Sequence, residues 1–528
     1  MKKERFLFLL PLASGILLGS AFNIPYAWPL VFVALLPLLF FLARTRHAFA
    51  GGFCFGLIFF GSVIFWFFDT HPLDWAGVTD PRLSLLFVFI AWAVTVITLS
   101  LFTGLWATAF RALRRGKLSD ILLGAALWVI FEWLRTFGFA LIFYSDVTYW
   151  GAHWTFGNLG YIFAGSPLLP WASIGGMSLL SFIAVAVNIM FFLWAQKRFT
   201  ISPRVFACSV GVLILFIAAH MALVRYTAQP RSASRLSVAV LSTDLPSYFT
   251  ISDEERMARS DVFYELLMRI AKTEDKPDVV VFPEDTRFLS SFSPAGRAAL
   301  LRNVSGGKPM VFIDSSMRID GKRFSILSYY DENGRVLGEY KKLLLVPNGE
   351  YMPFFMGGMA RILGDGAWAD SFIQYHEYAR GEKLSVARTP KGNFGSLFCS
   401  EIFSDVLYST LARDGAEVLV NSSSLSFAHR SSLLALQTRA QARLRAAETG
   451  RFFLRSVNDA PSLIIAPDGT IVAESERGRG ILYADIARIT RQTLFTRLGN
   501  WPLIVSVMIV LYVLGRIRAA SRGSRHPS

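Results

Sequence analysis

The chain has little cysteine, few polar residues and no metal-binding pattern. Its three cysteines in 528 residues exclude the disulfide framework of small secreted domains, and Cys54 and Cys208 lie inside apolar runs as packing residues. No His, Cys, Asp or Glu cluster has the spacing of metal ligands, so we expect no metal ion and no organic cofactor. Hydrophobic residues form 53% of the chain and the mean hydropathy is +0.44, values too apolar for an ordinary soluble protein. The composition therefore predicts a membrane protein.

Eight apolar runs approach the length of about 20 residues that a helix needs to cross a bilayer. They lie near 6–22, 27–43, 50–68, 84–110, 119–137, 168–195, 204–224 and 501–515. Further spans follow the first run directly and no clear cleavage site appears, so we expect an uncleaved helix rather than a signal peptide. We predict seven transmembrane helices in 1–225, a separate domain in 226–492, and an eighth helix with a basic tail in 493–528.

Basic residues mark every second junction between these runs, and short loops rich in Lys and Arg stay on the cytoplasmic side. The basic positions are Lys2, Lys3, Arg5, Arg44, Arg46, Arg111, Arg114, Arg115, Lys117, Lys197, Arg198, Arg204, Arg516, Arg518, Arg522 and Arg525. We therefore expect both termini in the cytoplasm and 226–492 on the exported side. The net charge of +15 reflects this topology, and we expect no nucleic-acid partner.

Short apolar runs separated by polar helices characterise the exported segment. The predicted strands are 236–241, 279–282, 310–314, 324–330, 394–399, 418–421 and 453–457, and the predicted helices are 252–272 and 429–449. Turn residues at 331–334 and 467–469 predict hairpins. The mixture predicts an α/β sandwich, in which two helical layers enclose packed sheets.

Three chemically capable side chains lie where predicted strands end. Glu284 follows 279–282, Lys342 precedes the apolar segment 343–346, and Cys399 closes 394–399. Taken singly, the glutamate could cap a helix and the lysine could be a solvated surface charge. In this order, however, the three residues resemble the nitrilase superfamily, and the seven-plus-one membrane frame narrows the resemblance to the apolipoprotein N-acyltransferase family.

The resemblance covers nearly the whole chain. The family pattern Tyr-x-Lys-x-x-Leu-Val-Pro-x-Gly-Glu-Tyr-x-Pro is matched by Tyr340, Lys342, Leu345, Val346, Pro347, Gly349, Glu350, Tyr351 and Pro353. Further matches are Glu132, Trp133, Leu134, Arg135, Arg445, Ala446, Ala447, Glu448, Arg451, Arg455, Ser456 and Asn458. This register selects Lys342 over Lys341 as the family's lysine.

The chain departs from the family pattern at several positions near these motifs. Phe282 replaces a Trp, Ser400 replaces an aromatic residue after the cysteine, and Asn348 replaces a Phe. The segment Asn421-Ser422-Ser423-Ser424 replaces Asn-Asp-x-Trp. These changes bear on the preference for acyl chain or acceptor more than on the chemistry.

The resemblance implies a nitrilase-like αββα domain and a Glu-Lys-Cys triad. Glu284 would be the general base, Lys342 would stabilise a tetrahedral oxyanion, and Cys399 would form a thioester, with the backbone N–H of Ser400 as a second oxyanion donor. Glu350 and Glu401 match positions that support the site in the family. The alternative for these two is a cap or a structural ion pair.

Two further features bear on the membrane. Phe354, Phe355, Met356 and Met359, with a Gly pair between them, predict a mobile lip that dips toward lipid, and a packed core turn is the alternative. Glu132 and Arg135 lie one helical turn apart within a span, where charges are costly. For this pair we expect a structural ion pair rather than a substrate contact.

The resemblance implies a multi-pass enzyme of the bacterial inner membrane with a periplasmic catalytic domain. It would transfer a fatty acyl group from a phospholipid, through the cysteine thioester, to the N-terminal amine of a diacylglyceryl-cysteine apolipoprotein. Two alternatives remain: a membrane-anchored amidase or acyltransferase with another amine acceptor, and an inactive membrane scaffold. Intact Glu284, Lys342 and Cys399 argue against the scaffold.

Overall fold

The structure, a computed structural model, describes residues 7–196, 218–223, 235–246 and 252–523. The amino-terminal part is helical. Its α-helices are α1 Leu9–Asn23, α2 Leu36–Arg44, α3 Ala48–Val63, α4 Pro81–Leu113, α5 Ser119–Ile142 and α6 Ala172–Ala195, and a 3₁₀ helix, Pro25–Phe32, leads into α2. Helix α4 begins where Pro81 supplies a suitable first position and the Asp80 carboxylate accepts the N–H groups of Arg82 and Leu83.

The second part contains twelve strands in the described residues. They are β1 Arg235–Ser242, β2 Val279–Val281, β3 Val311–Asp320, β4 Lys322–Asp331, β5 Val336–Lys341, β6 Ala387–Thr389, β7 Gly392–Phe398, β8 Val418–Ser424, β9 Phe452–Asn458, β10 Leu463–Ile465, β11 Ile471–Glu474 and β12 Gly480–Ala487. One sheet has the order β12-β1-β2-β3-β4-β5 and the other β11-β10-β9-β8-β7-β6. The predicted strands are confirmed, and β5, β6, β10, β11 and β12 were missed because they are short or half-exposed and lack a continuous apolar run.

The second part of the described chain also contains α-helices. They are α7 Asp253–Lys272, α8 Pro294–Ser305, α9 Phe354–Ile362, α10 Gly366–Tyr375, α11 Asp405–Arg413 and α12 Ser432–Thr449. Apolar residues of α7 and α8 share a core with the first sheet, and α11 and α12 pack on the second. Between the sheets, Ser422 Oγ donates to Phe282 O at 2.8 Å and Ser456 Oγ donates to Leu241 O at 2.6 Å. The αββα layering predicted for this segment is confirmed.

The chain ends with α13 Leu494–Leu498 and α14 Trp501–Gly523. Within the described residues five apolar stretches are long enough to cross a membrane: Pro25–Arg44, Pro81–Leu113, Ser119–Ile142, Leu169–Ala195 and Trp501–Ala519. Helices α1 and α3 are apolar but shorter. The helical membrane region is thus confirmed, whereas the predicted span 204–224 falls largely outside the described residues and the count of eight stays a prediction.

Helix α12 joins the sandwich to the membrane region. Gln437 donates from Nε2 to Val63 O at 2.7 Å, and the Glu448 carboxylate accepts the N–H of Met177 at 2.9 Å. These contacts satisfy a carbonyl at the end of α3 and an N–H just after the kink that Gly175 and Gly176 make in α6, where helical partners are missing. The sandwich is therefore fixed against the helices at the face that carries the functional residues described below.

Glu132 and Arg135, the predicted ion pair, make no direct contact with each other in the described residues. Among the ion pairs of the described residues this one is absent, although both side chains are buried. Glu132 instead accepts the N–H of Leu159 at 2.8 Å, and Arg135 donates to Phe156 O and, at 2.6 Å, to Asn158 Oδ1. The two charges anchor the loop between α5 and α6 because its backbone needs partners inside the helical region.

Candidate active site

Glu284, Lys342 and Cys399 come together where strands of both sheets end. Cys399 directly follows β7 and opens a 3₁₀ helix, Cys399–Phe403. Lys342 is the first residue after β5, and Glu284 lies three residues beyond β2. Strands β2 and β7 are buried, so Glu284 and Cys399 lie where these buried runs stop, whereas Lys342 follows the half-exposed strand β5. The structure thus unites the three residues that the sequence singled out.

Lys342 lies between two carboxylates. Its Nζ is 3.0 Å from Glu284 Oε1 and 3.0 Å from Glu350 Oε1, and its side chain is only 1% exposed. Glu350 is itself held by the N–H of Val346, at 2.8 Å from Oε2. Burial by itself would lower the pKa of Lys342, but the two carboxylates reverse this shift and raise it. The ammonium therefore stays charged and fixed in position.

The Cys399 thiol faces the peptide of Ser424. Its Sγ lies 3.6 Å from Ser424 O, while the Ser424 N–H donates to Glu284 Oε2 at 3.2 Å. Burial raises the pKa of Cys399 to about 12, with Glu284 adding to the shift and Lys342 opposing it. Burial also raises the pKa of Glu284 to about 7, although Lys342 opposes the shift. The resting thiol is therefore neutral and needs a base, and Glu284 has a suitable pKa.

Glu401 connects the turn that carries Lys342 to the turn that carries Cys399. Its Oε1 accepts the Tyr340 hydroxyl and the N–H groups of Leu343 (2.9 Å) and Leu344 (3.1 Å), and its Oε2 accepts the Phe398 N–H at 2.7 Å. Four donors satisfy both oxygens of a fully buried carboxylate. Glu401 therefore fixes the spacing of the two turns.

Ser400 stands where the family pattern has an aromatic residue. Its hydroxyl is buried and donates to Leu344 O at 2.6 Å. This bond adds a second link between the two turns that Glu401 joins.

A cavity of about 360 Å³ opens beside the thiol. Its polar wall includes Glu284, Lys342 and Cys399. The lining also has many apolar side chains from the helical region and its loops, including Trp66, Phe87, Val88, Ala91, Phe139 and Trp154. Apolar pockets with a few convergent polar groups are the usual form of small-molecule sites. This one is shaped for a molecule with a long apolar part and a reactive polar group at the thiol.

The predicted lip, 354–359, forms the start of helix α9. Phe354 and Phe355 are 57% and 37% exposed, and Met359 is half-buried. Met356 is buried and lines the cavity, because the helical period turns it away from its two neighbours. Its predicted outward orientation is therefore wrong.

Arg455 and Asp314 belong to the site region, although sequence reasoning did not single them out as site residues. Arg455, in β9, is buried and lines the cavity. Asp314, in β3, accepts the Leu289 N–H at 2.8 Å and the Thr286 hydroxyl, and so holds the loop that follows Glu284. An isolated charge inside an apolar strand pattern was the available signal for both. Among the described residues, no group of three His, Cys, Asp or Glu side chains is arranged to hold a metal ion.

Comparisons with known proteins agree with this two-part architecture. The family model "Apolipoprotein N-acyltransferase N-terminal domain" matches 14–190, and "Carbon-nitrogen hydrolase" matches 307–494. An apolipoprotein N-acyltransferase of Gloeobacter violaceus is 27% identical over 98% of this chain and 96% of its own length. One of Pseudomonas syringae pv. tomato is 26% identical over 98% of this chain and 97% of its own. The solved structure of Saccharomyces cerevisiae Nit3, a member of branch 10 of the nitrilase superfamily, covers 48% of this chain and 93% of its own, at 18% identity and a TM-score of 0.35. The chain thus combines an amino-terminal domain of the apolipoprotein N-acyltransferase family with a carbon-nitrogen hydrolase domain, and it is similar to apolipoprotein N-acyltransferases over nearly its whole length.

Proposed function

We propose that the protein transfers a fatty acyl group from a phospholipid, through a thioester on Cys399, to the N-terminal amine of a diacylglyceryl-cysteine apolipoprotein. One observation carries the proposal: a single cavity joins Cys399, Glu284 and Lys342 to a wall of apolar side chains from the membrane helices. Burying an acyl chain is worth about 0.8 kcal/mol per methylene. A thiol that faces such a wall can reach an ester whose chains remain in an apolar environment.

The first half-reaction acylates the thiol. Glu284 takes the proton of Cys399, and the sulfur attacks the carbonyl carbon of the phospholipid ester. The ammonium of Lys342 stabilises the oxyanion, with the backbone N–H of Ser400 as a second donor. The carbon–oxygen bond to glycerol then breaks, the glycerol oxygen receives the proton from Glu284, and a lysophospholipid leaves.

The second half-reaction regenerates the thiol. The amine attacks the thioester carbonyl, Glu284 takes a proton from the nitrogen, and the thiolate leaves as the amide forms. The sulfur then recovers a proton from Glu284. Because both half-reactions use one sulfur, the kinetics are ping-pong. Glu350 and Glu401 act by holding Lys342 and the two turns in place.

We further propose a periplasmic catalytic domain within 226–492 and cytoplasmic termini in a bacterial inner membrane. The alternation of basic junctions supports this orientation. The exposed rings of Phe354 and Phe355 support contact between α9 and the lipid surface.

One departure favours an acceptor other than a lipidated cysteine. Ser424 stands where the family pattern has Trp, and in the structure its peptide contacts both Glu284 and Cys399. A small side chain leaves more room beside the thiol. An acyltransferase for a different amine is therefore the second candidate.

Intact mass spectrometry of the full chain in detergent tests the proposal. We expect wild type incubated with phospholipid to gain the mass of an acyl group, removable by hydroxylamine, and Cys399→Ala to gain none. Cys54→Ala is the matched control, since Cys54 lies in α3 away from the cavity lining, and it should acylate normally. Added lipopeptide with a free N-terminal amine should then become N-acylated. An adduct on Cys399→Ala would refute the thioester, and an adduct transferred only to other amines would select the second candidate.

A further inference from the structure

Two buried arginines close together on the chain have very different surroundings. Arg451 is fully buried and donates from its guanidinium to main-chain oxygens, among them Ala416 O at 2.7 Å and Thr490 O at 3.3 Å. Arg455 is 2% exposed, and its one hydrogen bond to a described residue runs from Nε to Asn421 Oδ1 at 3.3 Å. No described carboxylate pairs with Arg455. A buried cation without a counter-ion is costly, so its retention calls for a function.

The guanidinium of Arg455 is directed to the cavity that holds the thiol. Strand pairing aligns Leu397 of β7, Asn421 of β8 and Arg455 of β9. Side chains at paired positions point to the same face of a sheet, and Cys399 follows at the end of β7. Both Arg455 and Cys399 line the cavity. Burial lowers the pKa of Arg455 to about 10, which leaves it charged at neutral pH.

The other charged groups near the Cys399 thiol have partners of their own. Lys342 lies between Glu284 and Glu350, so these three groups carry one net negative charge when all are ionised. Glu401 lies on the turn of the nucleophile, and Asp285 and Arg287 at the cavity wall pair with each other at 2.7 Å. Arg323, also at the cavity wall, lies over the ring of Tyr378, and the Tyr408 hydroxyl of α11 accepts a hydrogen bond from Asn421 at 3.0 Å. Arg455 is therefore the cation beside the thiol that no described carboxylate neutralises.

We propose that Arg455 is a second cationic residue of the active site, whose charge stabilises the sulfur of Cys399 whenever it is a thiolate. Given the proposed function, this happens twice. The sulfur is negative once its proton has passed to Glu284 and before the carbon–sulfur bond forms. It is negative again when the carbon–sulfur bond breaks and before Glu284 returns a proton. Lys342 serves the carbonyl oxygen, and Arg455 serves the sulfur.

Alkylation of Cys399 by iodoacetamide measures this effect without lipid or acceptor. The rate, followed by intact mass of the full chain in detergent from neutral to alkaline pH, rises as thiolate forms. The pH at which the rate reaches a set reference value, called the midpoint here, is lower the more readily the thiolate forms. Arg455→Gln should move the midpoint upward by about one pH unit and slow alkylation at neutral pH about tenfold. Arg455→Lys should keep the wild-type midpoint, since it keeps the charge.

Arg451→Lys is the matched control for a structural role. It should lower the melting temperature because it loses main-chain contacts, and it should leave the midpoint unchanged. A wild-type midpoint in folded Arg455→Gln would overturn the proposal. If Arg455→Gln fails to fold, the test uses Asn421→Asp, which places a carboxylate beside the Arg455 guanidinium. A midpoint above that of wild type supports the proposal, and an unchanged midpoint overturns it. Alkylation needs no phospholipid, so it tests the role of Arg455 independently of the proposed function. Absence of an acyl adduct on wild type would refute the proposed function and leave the alkylation result unaffected.

Discussion

Replacing Glu284 with Gln isolates the proton-transfer step from the architecture of the site. Glu284 holds Lys342 through Oε1 and the Ser424 N–H through Oε2. A glutamine of the same shape can keep one of these contacts through its oxygen and loses the other, which costs about 1–3 kcal/mol of folding free energy. Lys342 keeps Glu350 at 3.0 Å, so no ammonium is left unpaired.

The loss in rate should far exceed the loss in stability. A positioned general base contributes about 100- to 10,000-fold, or about 3 to 5 kcal/mol of the barrier. Wild type should acylate faster as pH rises through the pKa of Glu284, about 7, because the protonated carboxyl cannot accept the thiol proton. Glu284→Gln should lose this inflection as well as the rate.

Single-turnover formation of the acyl adduct, measured by intact mass as a function of pH, tests both expectations. Glu339→Gln is the matched control. Glu339 lies in β5, pairs with Arg318 of β3, and is not part of the cavity lining. It should keep the wild-type rate and inflection. If Glu284→Gln acylates at the wild-type rate with the same inflection, Glu284 is not the base and the mechanism is wrong.

Three further changes probe positioning, cavity depth and lipid contact. Glu401→Gln removes acceptor capacity from four donors and should lower the melting temperature and the activity together. Each lost bond to the charged group should cost about 1.5–3 kcal/mol of folding free energy. Equal stability of variant and wild type would contradict this. Ala91→Trp should shorten the acyl chains found on Cys399 by mass spectrometry, whereas Ile97→Trp, exposed on the same helix, should not; an unchanged chain profile would show that Ala91 does not border the acyl chain. Phe354→Asp combined with Phe355→Asp should slow acylation by phospholipid and leave alkylation of Cys399 unchanged; equal loss of both would argue against lipid contact.

Elements with strong local patterns were predictable. The apolar runs at 84–110 and 119–137 correspond to α4 and α5 because continuous hydrophobicity of that length needs no long-range information. The same holds for β7 and β8, whose buried residues form uninterrupted runs. The strands β11 and β12 alternate or stay half-exposed, and their pairing depends on partners far away in the chain, so they were missed.

The three residues were predictable because their order and flanking residues match a known family pattern, although only Cys399 directly follows a buried strand. The environment of each of these three residues could not be predicted from the sequence. Lys342 contacts Glu284 across 58 positions of the chain and Glu350 across eight. The spacing of Glu132 and Arg135 suggested a local ion pair, yet both side chains bind the loop beyond α5, whose backbone needs partners inside the helical region.

The sequence by itself determined the membrane character and the layered α/β domain, because hydrophobic periodicity is a local property, and the resemblance of its motifs to a known family pointed to Glu284, Lys342 and Cys399. Only the tertiary structure decided that Lys342 lies between two carboxylates, that Met356 faces the cavity and that Arg455 is a buried cation beside the thiol. These features arise from the stacking of two sheets against a helical bundle, which brings together residues hundreds of positions apart. Burial and charge at a point in space depend on that packing, and no single segment of the chain encodes them.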